Sequence, residues 1–521
     1  MKNKLFLLTL FTTVLLWSCN LNSGKINVES VTTENGVISG IAGDNPEVMV
    51  FKGIPYAAPP VGNLRWKEPQ PVINWEGVRK CDSFGPNAMQ NKPVPRGVYV
   101  EEFLIPADGQ ISEDCLYLNV WTAAKNTDEK RPVIVYIHGG GFSEGSGSVP
   151  IYDGESMAAK GIVFVTINYR LGLFGFFAHP ELTAESEHNA SGNYAILDQI
   201  AALSWVKNNI AAFGGDPSNV TIAGQSAGSM SVNVLAATPL AKGLFAKMIA
   251  ESGANVIAGA FGGVTDLLTA EQRGVELAKA FNAASIEELR MVSADSLQKK
   301  NTGMGSLIVD GYLLKKTIPQ IFANKEETIV PLITGWNGDD ALLSMPTTVK
   351  GYQDAVKQQY GADADSILKY YSATNDEEAA VAQKNLWRDS FFGVQNYAWA
   401  CMQSDMNTAP VFVYYFERKV PEEGGAGQYG AFHSGEITYA YDNHSKFNRP
   451  WEQADYDLAR LMSSYWVNFA KTGDPNGTEL PEWPAFNKNS GMVMDFNVES
   501  KAVKQPYHGA LEFLYKRATA K

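Results

Sequence analysis

The sequence predicts an α/β fold, a mostly parallel central sheet flanked by helices, with helical insertions over the functional edge of that sheet. Three observations predict it. The runs Pro132–Ile137 (PVIVYI) and Ile162–Ile167 (IVFVTI) are continuously apolar, as strands buried on both faces require. Strand-like runs alternate with helix-period segments along the chain. A short strand, Val220–Ala223, runs straight into glycines and a further helix.

Taken in order, residues 26–54 alternate apolar and polar around Asn35-Gly36 and Gly43-Asp44-Asn45-Pro46, the pattern of short antiparallel strands joined by turns. Residues 55–114 are rich in Pro and Gly with little periodicity and read mainly as loop. The two buried runs follow. Asn193–Phe213 then shows a helical period in Ile196, Leu197, Ile200, Leu203, Val206 and Ile210. Further strands are expected at Lys247–Ala250, Ile329–Thr334 and Val411–Phe416. Leu458–Lys471 reads as a long C-terminal helix stopped at Thr472-Gly473-Asp474-Pro475. Residues 260–325 and 345–405 are helical and fall between strands, so they are expected as insertions in one domain spanning 26–521.

Composition excludes several functions. With 45% hydrophobic and 19% charged residues the chain is globular, and 521 residues bury a large core without staples. A net charge of −13, with scattered acidic side chains, argues against nucleic-acid binding. The six histidines include no i, i+4 pair and the four cysteines no Cys-x-x-Cys, so no metal site is expected.

The N-terminus reads as an address. Lys2 and Lys4 precede the apolar run Leu5–Trp17, which has the length of a signal-peptide core and is too short to span a bilayer easily. Leu16-Trp17-Ser18-Cys19 resembles a lipobox, with Trp17 where a small residue is usual. The expectation is a signal peptide over 1–18, a lipidated Cys19 opening a linker over 19–25, and an exported protein touching membrane only through that anchor. Export permits disulfides, and Cys81 and Cys115 are the expected pair, with two buried thiols as the alternative; Cys401 reads as a small core residue.

The chemistry centres on Gly224-Gln225-Ser226-Ala227-Gly228. Gly-x-Ser-x-Gly between a strand and a helix is a nucleophile elbow, whose glycines admit a turn too tight for side chains beside the serine. Serine needs a general base, and in this arrangement the acid and then the histidine follow it along the chain. That leaves His433, His444 and His508, and the Gly-rich context of Gly430–Gly435 selects His433. The acid should end a strand between them. Ile329–Thr334 leads into Gly335-Trp336-Asn337-Gly338-Asp339-Asp340, and the residues alone leave Asp339 and Asp340 as alternatives. His138-Gly139-Gly140-Gly141 after a buried strand is an HGGG-type oxyanion loop, and the Ala227 N–H adds a further donor. No Gly-Lys-Ser/Thr follows those glycines, so a phosphate loop is excluded.

Two long motifs, Phe213–Gly228 (FGGDPSNVTIAGQSAG) and Glu113–Asn119 (EDCLYLN), make the sequence resemble the type-B carboxylesterase/lipase family. Gly53–Ala57, Asn168–Gly172 and Thr472–Pro475 extend the likeness over essentially the whole mature chain. The resemblance implies an α/β-hydrolase fold and a serine carboxylesterase without cofactor, acting on a small-molecule or glycan-linked ester. By position it implies Ser226 as nucleophile, His433 as base, and Gly140, Gly141 and Ala227 as oxyanion donors. Where the family carries Glu as acid this chain has Asp340, which it favours over Asp339. Ser252 matches a serine supporting the acid, and Glu436 completes His-x-x-Glu. It also implies salt bridges Arg65–Glu113 and Arg170–Asp198 and makes Cys81–Cys115 look like the family's early disulfide, although Cys81 lies earlier than the usual partner. Gln225 stands where cholinesterases carry Glu, and no tryptophan lies between Cys81 and Cys115, so a choline ester is not expected. Two other readings are a carbohydrate-side-chain esterase (feruloyl or acetyl-xylan type) and a non-catalytic binding or adhesion member of the fold.

Overall fold

In the computed structural model the described residues are 24–520, apart from 96, 98, 100, 259–263, 301–305, 342–346 and 423–428. The expected signal segment 1–18 and Cys19 lie outside them, and the expected insertions cross some of the gaps. Among the described residues eleven strands form one sheet. In chain order they are β1 (Ile41–Ala42), β2 (Met49–Pro55), β3 (Tyr117–Thr122), β4 (Arg131–Ile137), β5 (Val163–Ile167), β6 (Gly215–Gln225), β7 (Lys247–Glu251), β8 (Leu332–Asn337), β9 (Val411–Phe416), β10 (Met492–Phe496) and β11 (Lys501–Lys504). The order across the sheet is β11-β10-β9-β8-β7-β6-β4-β5-β3-β2-β1. From β5 to β10 every neighbouring pair is parallel, and the antiparallel pairs sit at the two margins. The fold is thus the α/β arrangement that the buried runs imply, and the two runs are neighbours, with Val133 paired to Val163.

Helices cover both faces. The helix α1 (Tyr194–Asn209) buries Ile196, Leu203 and Val206 completely, and α2 (Ala227–Ala237) is buried along its whole length. Between β8 and β9 lie α3 (Asp376–Arg388) and α4 (Val394–Met406), joined by a π-helical turn at Asp389–Gly393. The helix α5 (Gln453–Thr472) closes on Gly473 in the left-handed region, where the sequence places its stop. No helix among the described residues is long and apolar enough to cross a membrane.

Several elements depart from the expectations. The strand β6 starts at Gly215, five residues before Val220, because its early part pairs with Arg131 as the strand bends. The strand β8 is shifted to Leu332–Asn337: it runs on through Gly335-Trp336-Asn337 because β9 continues beside it to Phe416. The strands β3, β10 and β11 were not foreseen, and α5 is followed by a further helix, α6 (His508–Thr519).

The Cys81–Cys115 disulfide is not formed; both are free, buried thiols, as is Cys401. Cys81 is held at the N-terminal margin by its backbone, which donates to Ser39 O and accepts from Lys52 N–H. Cys115 instead lines a small cavity with Met89, Trp66 and Phe174, so a methionine shares its niche. Burial pushes the Cys81 thiol up to about 12 and Cys115 well above its ordinary value, so neither is poised for exchange. The two implied salt bridges are present. Arg65 reaches Glu113 at 2.5 Å, and Arg170 reaches Asp198 at 2.6 Å with both groups buried.

Candidate active site

The site lies where β4, β6, β7 and β8 end together. The register sets Ile137 opposite Gly224, and Glu251 opposite both Gln225 and Gly335. Ser226 follows β6 at φ 58°, ψ −121°, a conformation an L-residue adopts only under strain of about 1–3 kcal/mol. Its N–H donates to Glu251 O (2.9 Å) and its carbonyl accepts from Met230 N–H, the first turn of α2. The second elbow glycine shows why no side chain fits: a Cβ on Gly228 would lie 2.0 Å from Ile137 O. The crossing of β4 and α2 is a backbone-on-backbone contact.

The same tightness shapes the loop after β4. Gly140 (φ 95°) and Gly141 (φ 60°) both take the left-handed region, and a Cβ on Gly140 would meet Glu144 O at 2.1 Å. Gly140, Gly141 and Ala227 line one cavity of about 400 Å³ together with Ser226 and His433. Ala227 is the first residue of α2, so its N–H has no partner within the helix. His138 anchors the loop from behind. Its ring stacks on Tyr169 (4.4 Å), its carbonyl accepts from Tyr169 Oη (2.7 Å), and burial lowers its pKa to about 4.

The acid loop distinguishes the two aspartates. Asp340 is fully buried; its Oδ1 accepts from His433 Nδ1 at 2.5 Å, and its Oδ2 accepts from Ser252 Oγ (2.7 Å) and Asn337 N–H (3.0 Å). Asp339 faces the other way. It pairs with Lys384 of α3 and clasps Ala431, donating its N–H to Ala431 O (2.9 Å) and accepting Ala431 N–H at Oδ2 (2.8 Å). Asp339 thus ties the acid loop to the histidine loop, and Asp340 meets the imidazole. Gln225 is buried against that ring, its Nε2 3.2 Å from His433 Nε2.

Beneath the aspartate lies a buried acid pair. Glu436 accepts from Asn337 Nδ2, and Glu251 accepts from Trp466 Nε1 (3.0 Å) and Tyr441 Oη (3.3 Å). Burial, then the nearby Asp340 charge, pushes Glu436 up to about 8; burial, then Glu436, pushes Glu251 well above the carboxylate range.

Sequence reasoning missed Asn337, which bridges Asp340, Phe432 and Glu436, although it stands in the acid motif. It also missed Tyr99, whose hydroxyl donates to His433 O (3.0 Å), and Phe392, stacked on the imidazole. The last two come from a loop and an insertion with no local signal. Glu251 had one, a carboxyl directly after the apolar run Met248-Ile249-Ala250. The cavity walls are largely apolar, with Phe103, Leu104, Ile105, Phe142, Tyr152, Met230 and Leu307, and polar at Gln90, Asn91, Ser143, Glu144 and Asn255. Among the described residues no cluster of His, Cys, Asp or Glu could hold a metal ion.

The chain as a whole has known relatives. The carboxylesterase family matches residues 27–514. A fumonisin B1 esterase of Sphingopyxis macrogoltabida is 35% identical over 92% of this chain and 90% of its own. The para-nitrobenzyl esterase of Bacillus subtilis (strain 168) is 35% identical over 91% of this chain and 96% of its own. A solved PNB esterase structure superposes with a TM-score of 0.77 at 31% identity, covering 94% of this chain and 100% of that one.

The acid pair yields a stability prediction. A carboxyl raised in the folded state keeps its proton where the unfolded chain has released it. Its contribution is therefore present below about pH 4.3, the unfolded value, and is lost as pH rises through about 8. Glu436→Gln cannot ionise, so its melting temperature relative to wild type should rise by about 2 °C or more between pH 5 and pH 8. A difference that stays constant across that range contradicts the shift.

Proposed function

Since the chain belongs to the carboxylesterase family and is a carboxylic-ester hydrolase, we propose that it works through an acyl-enzyme on Ser226 with His433 and Asp340 completing a triad. The observation that carries this reading is the 2.5 Å bond between buried Asp340 and His433, beside the elbow serine in one cavity. With Nδ1–H given to Asp340, the acceptor lone pair of His433 is on Nε2, where the Gln225 amide lies 3.2 Å away. That nitrogen takes the Ser226 proton as Oγ attacks the ester carbonyl. Gly140, Gly141 and Ala227 donate N–H groups to the oxyanion, each contributing on the order of 3–4 kcal/mol. His433 returns the proton to the departing alcohol, and water then cleaves the acyl-enzyme by the same steps in reverse. Asp340 stabilises the imidazolium, and burial of Glu436 and Glu251 below it favours their protonated forms.

The walls set the substrate class. They are mostly apolar, and among the described lining residues there is no Lys or Arg, so esters with uncharged acyl and alcohol groups fit best. Ser226→Ala should abolish hydrolysis of p-nitrophenyl butyrate. Asp340→Asn should lower kcat by about 10³–10⁴, and Asp339→Asn by less than about tenfold. Unchanged turnover in Ser226→Ala would remove the nucleophile from this account, and equal losses at the two aspartates would remove the distinction between them.

The same proposal places the enzyme outside the cytoplasm on a lipid anchor at Cys19, supported by the basic start, the short apolar run and the lipobox-like Leu16–Cys19. The full chain produced in a bacterium should fractionate with membranes and Cys19→Ala should not; identical fractionation overturns the anchor.

A further inference from the structure

The hydrogen bond to Nδ1 fixes one edge of the His433 imidazole, and the Gln225 amide approaches Nε2 at 3.2 Å, but rotation about the ring's sp³–sp² bond is soft. A group packed on the ring face sets its plane so that Nε2 can meet the serine. We propose that Phe392, seated by the π-helical turn Asp389–Gly393, is a positioning residue that holds the plane of the His433 ring. The proposal rests on His433 being the general base.

The Phe392 ring lies flat on the imidazole, with centroids 4.6 Å apart and planes 17° from parallel. Phe392 is fully buried and does not line the cavity, so its effect on substrate passes through His433. An aromatic face also favours a cation, which His433 becomes as it takes the serine proton.

The turn itself is braced. A π-helical turn adds a residue to the helix and re-aims the side chains that follow; such turns recur at functional sites. Here Arg388 and Asp389 form a buried bidentate pair (Nε–Oδ1 2.7 Å, Nη2–Oδ2 2.9 Å), and Tyr371 Oη donates to Asp389 Oδ2 (2.8 Å). Arg388 Nη1 also donates to Gly338 O (2.8 Å), two residues before Asp340. One buried unit therefore holds both the ring that backs the histidine and the loop that carries its acid. Phe391 packs edge-on behind Phe392 (5.1 Å).

The test compares Phe392→Leu with Phe392→Tyr on p-nitrophenyl butyrate, with kcat counted per Ser226 titrated to completion by a fluorophosphonate, so that unfolded chains do not count. Phe392→Leu should lose about tenfold to a hundredfold in kcat, with KM moving less than about twofold. Phe392→Tyr, which keeps the aromatic face, should recover most of the loss. An unchanged kcat in Phe392→Leu, a loss confined to KM, or an equal loss in both variants overturns the role. A wild-type chain that takes no fluorophosphonate would overturn the nucleophile assignment, and this proposal with it.

Discussion

The contact on which the rest of the site depends is the crossing of β4 and α2, where backbone meets backbone at Gly228 and Ile137. It forces the chain to reverse within Gly224–Gly228 and holds Ser226 at a positive φ that it would leave if free. The strain of about 1–3 kcal/mol is borne by the parallel strands on either side, whose hydrogen bonds over-determine the turn. Everything else is referred to this point. The glycine loop follows β4, Ser252 follows β7 and Asp340 follows β8, so the sheet register brings the glycine loop, Ser252 and Asp340 to one edge beside Ser226.

Electrostatics then differentiates groups that the register brings close. Three buried carboxyls lie near the histidine, and their surroundings differ. Asp340 is given three donors, whereas Glu436 and Glu251 are buried with fewer, and burial pushes both upward. The insertion contributes in the same sense. Lys384 occupies Asp339, Arg388 braces the loop at Gly338, and Phe392 covers the ring.

Much of this was legible because it is local. The elbow, the glycine loop and the helix stop at Gly473 are short-range patterns that backbone sterics dictate. Chain order and a Gly-rich context sufficed for His433. Asp339 and Asp340 could not be told apart from the residues alone, since adjacent aspartates offer the same chemistry and their fates are decided by Lys384 and Ser252, which lie far off in sequence. Phe392 and Tyr99 were invisible for the same reason. The disulfide failed because spacing is not geometry: Cys115 meets Met89 in its niche, and Cys81 is held at the sheet margin. The strands β10 and β11 at one margin of the sheet were missed because they are short and carry Asp495 or terminal lysines that blur an apolar run.

The proposed reaction passes through a covalent intermediate on a serine whose proton leaves through His433. Rapid acid quench of the enzyme turning over p-nitrophenyl butyrate, followed by peptide mass spectrometry, reads it directly. A butyryl group is expected on Ser226 within its peptide, and it should be lost in His433→Ala. Hydrolysis with no acylated Ser226, or with the acyl group on another residue, would contradict it.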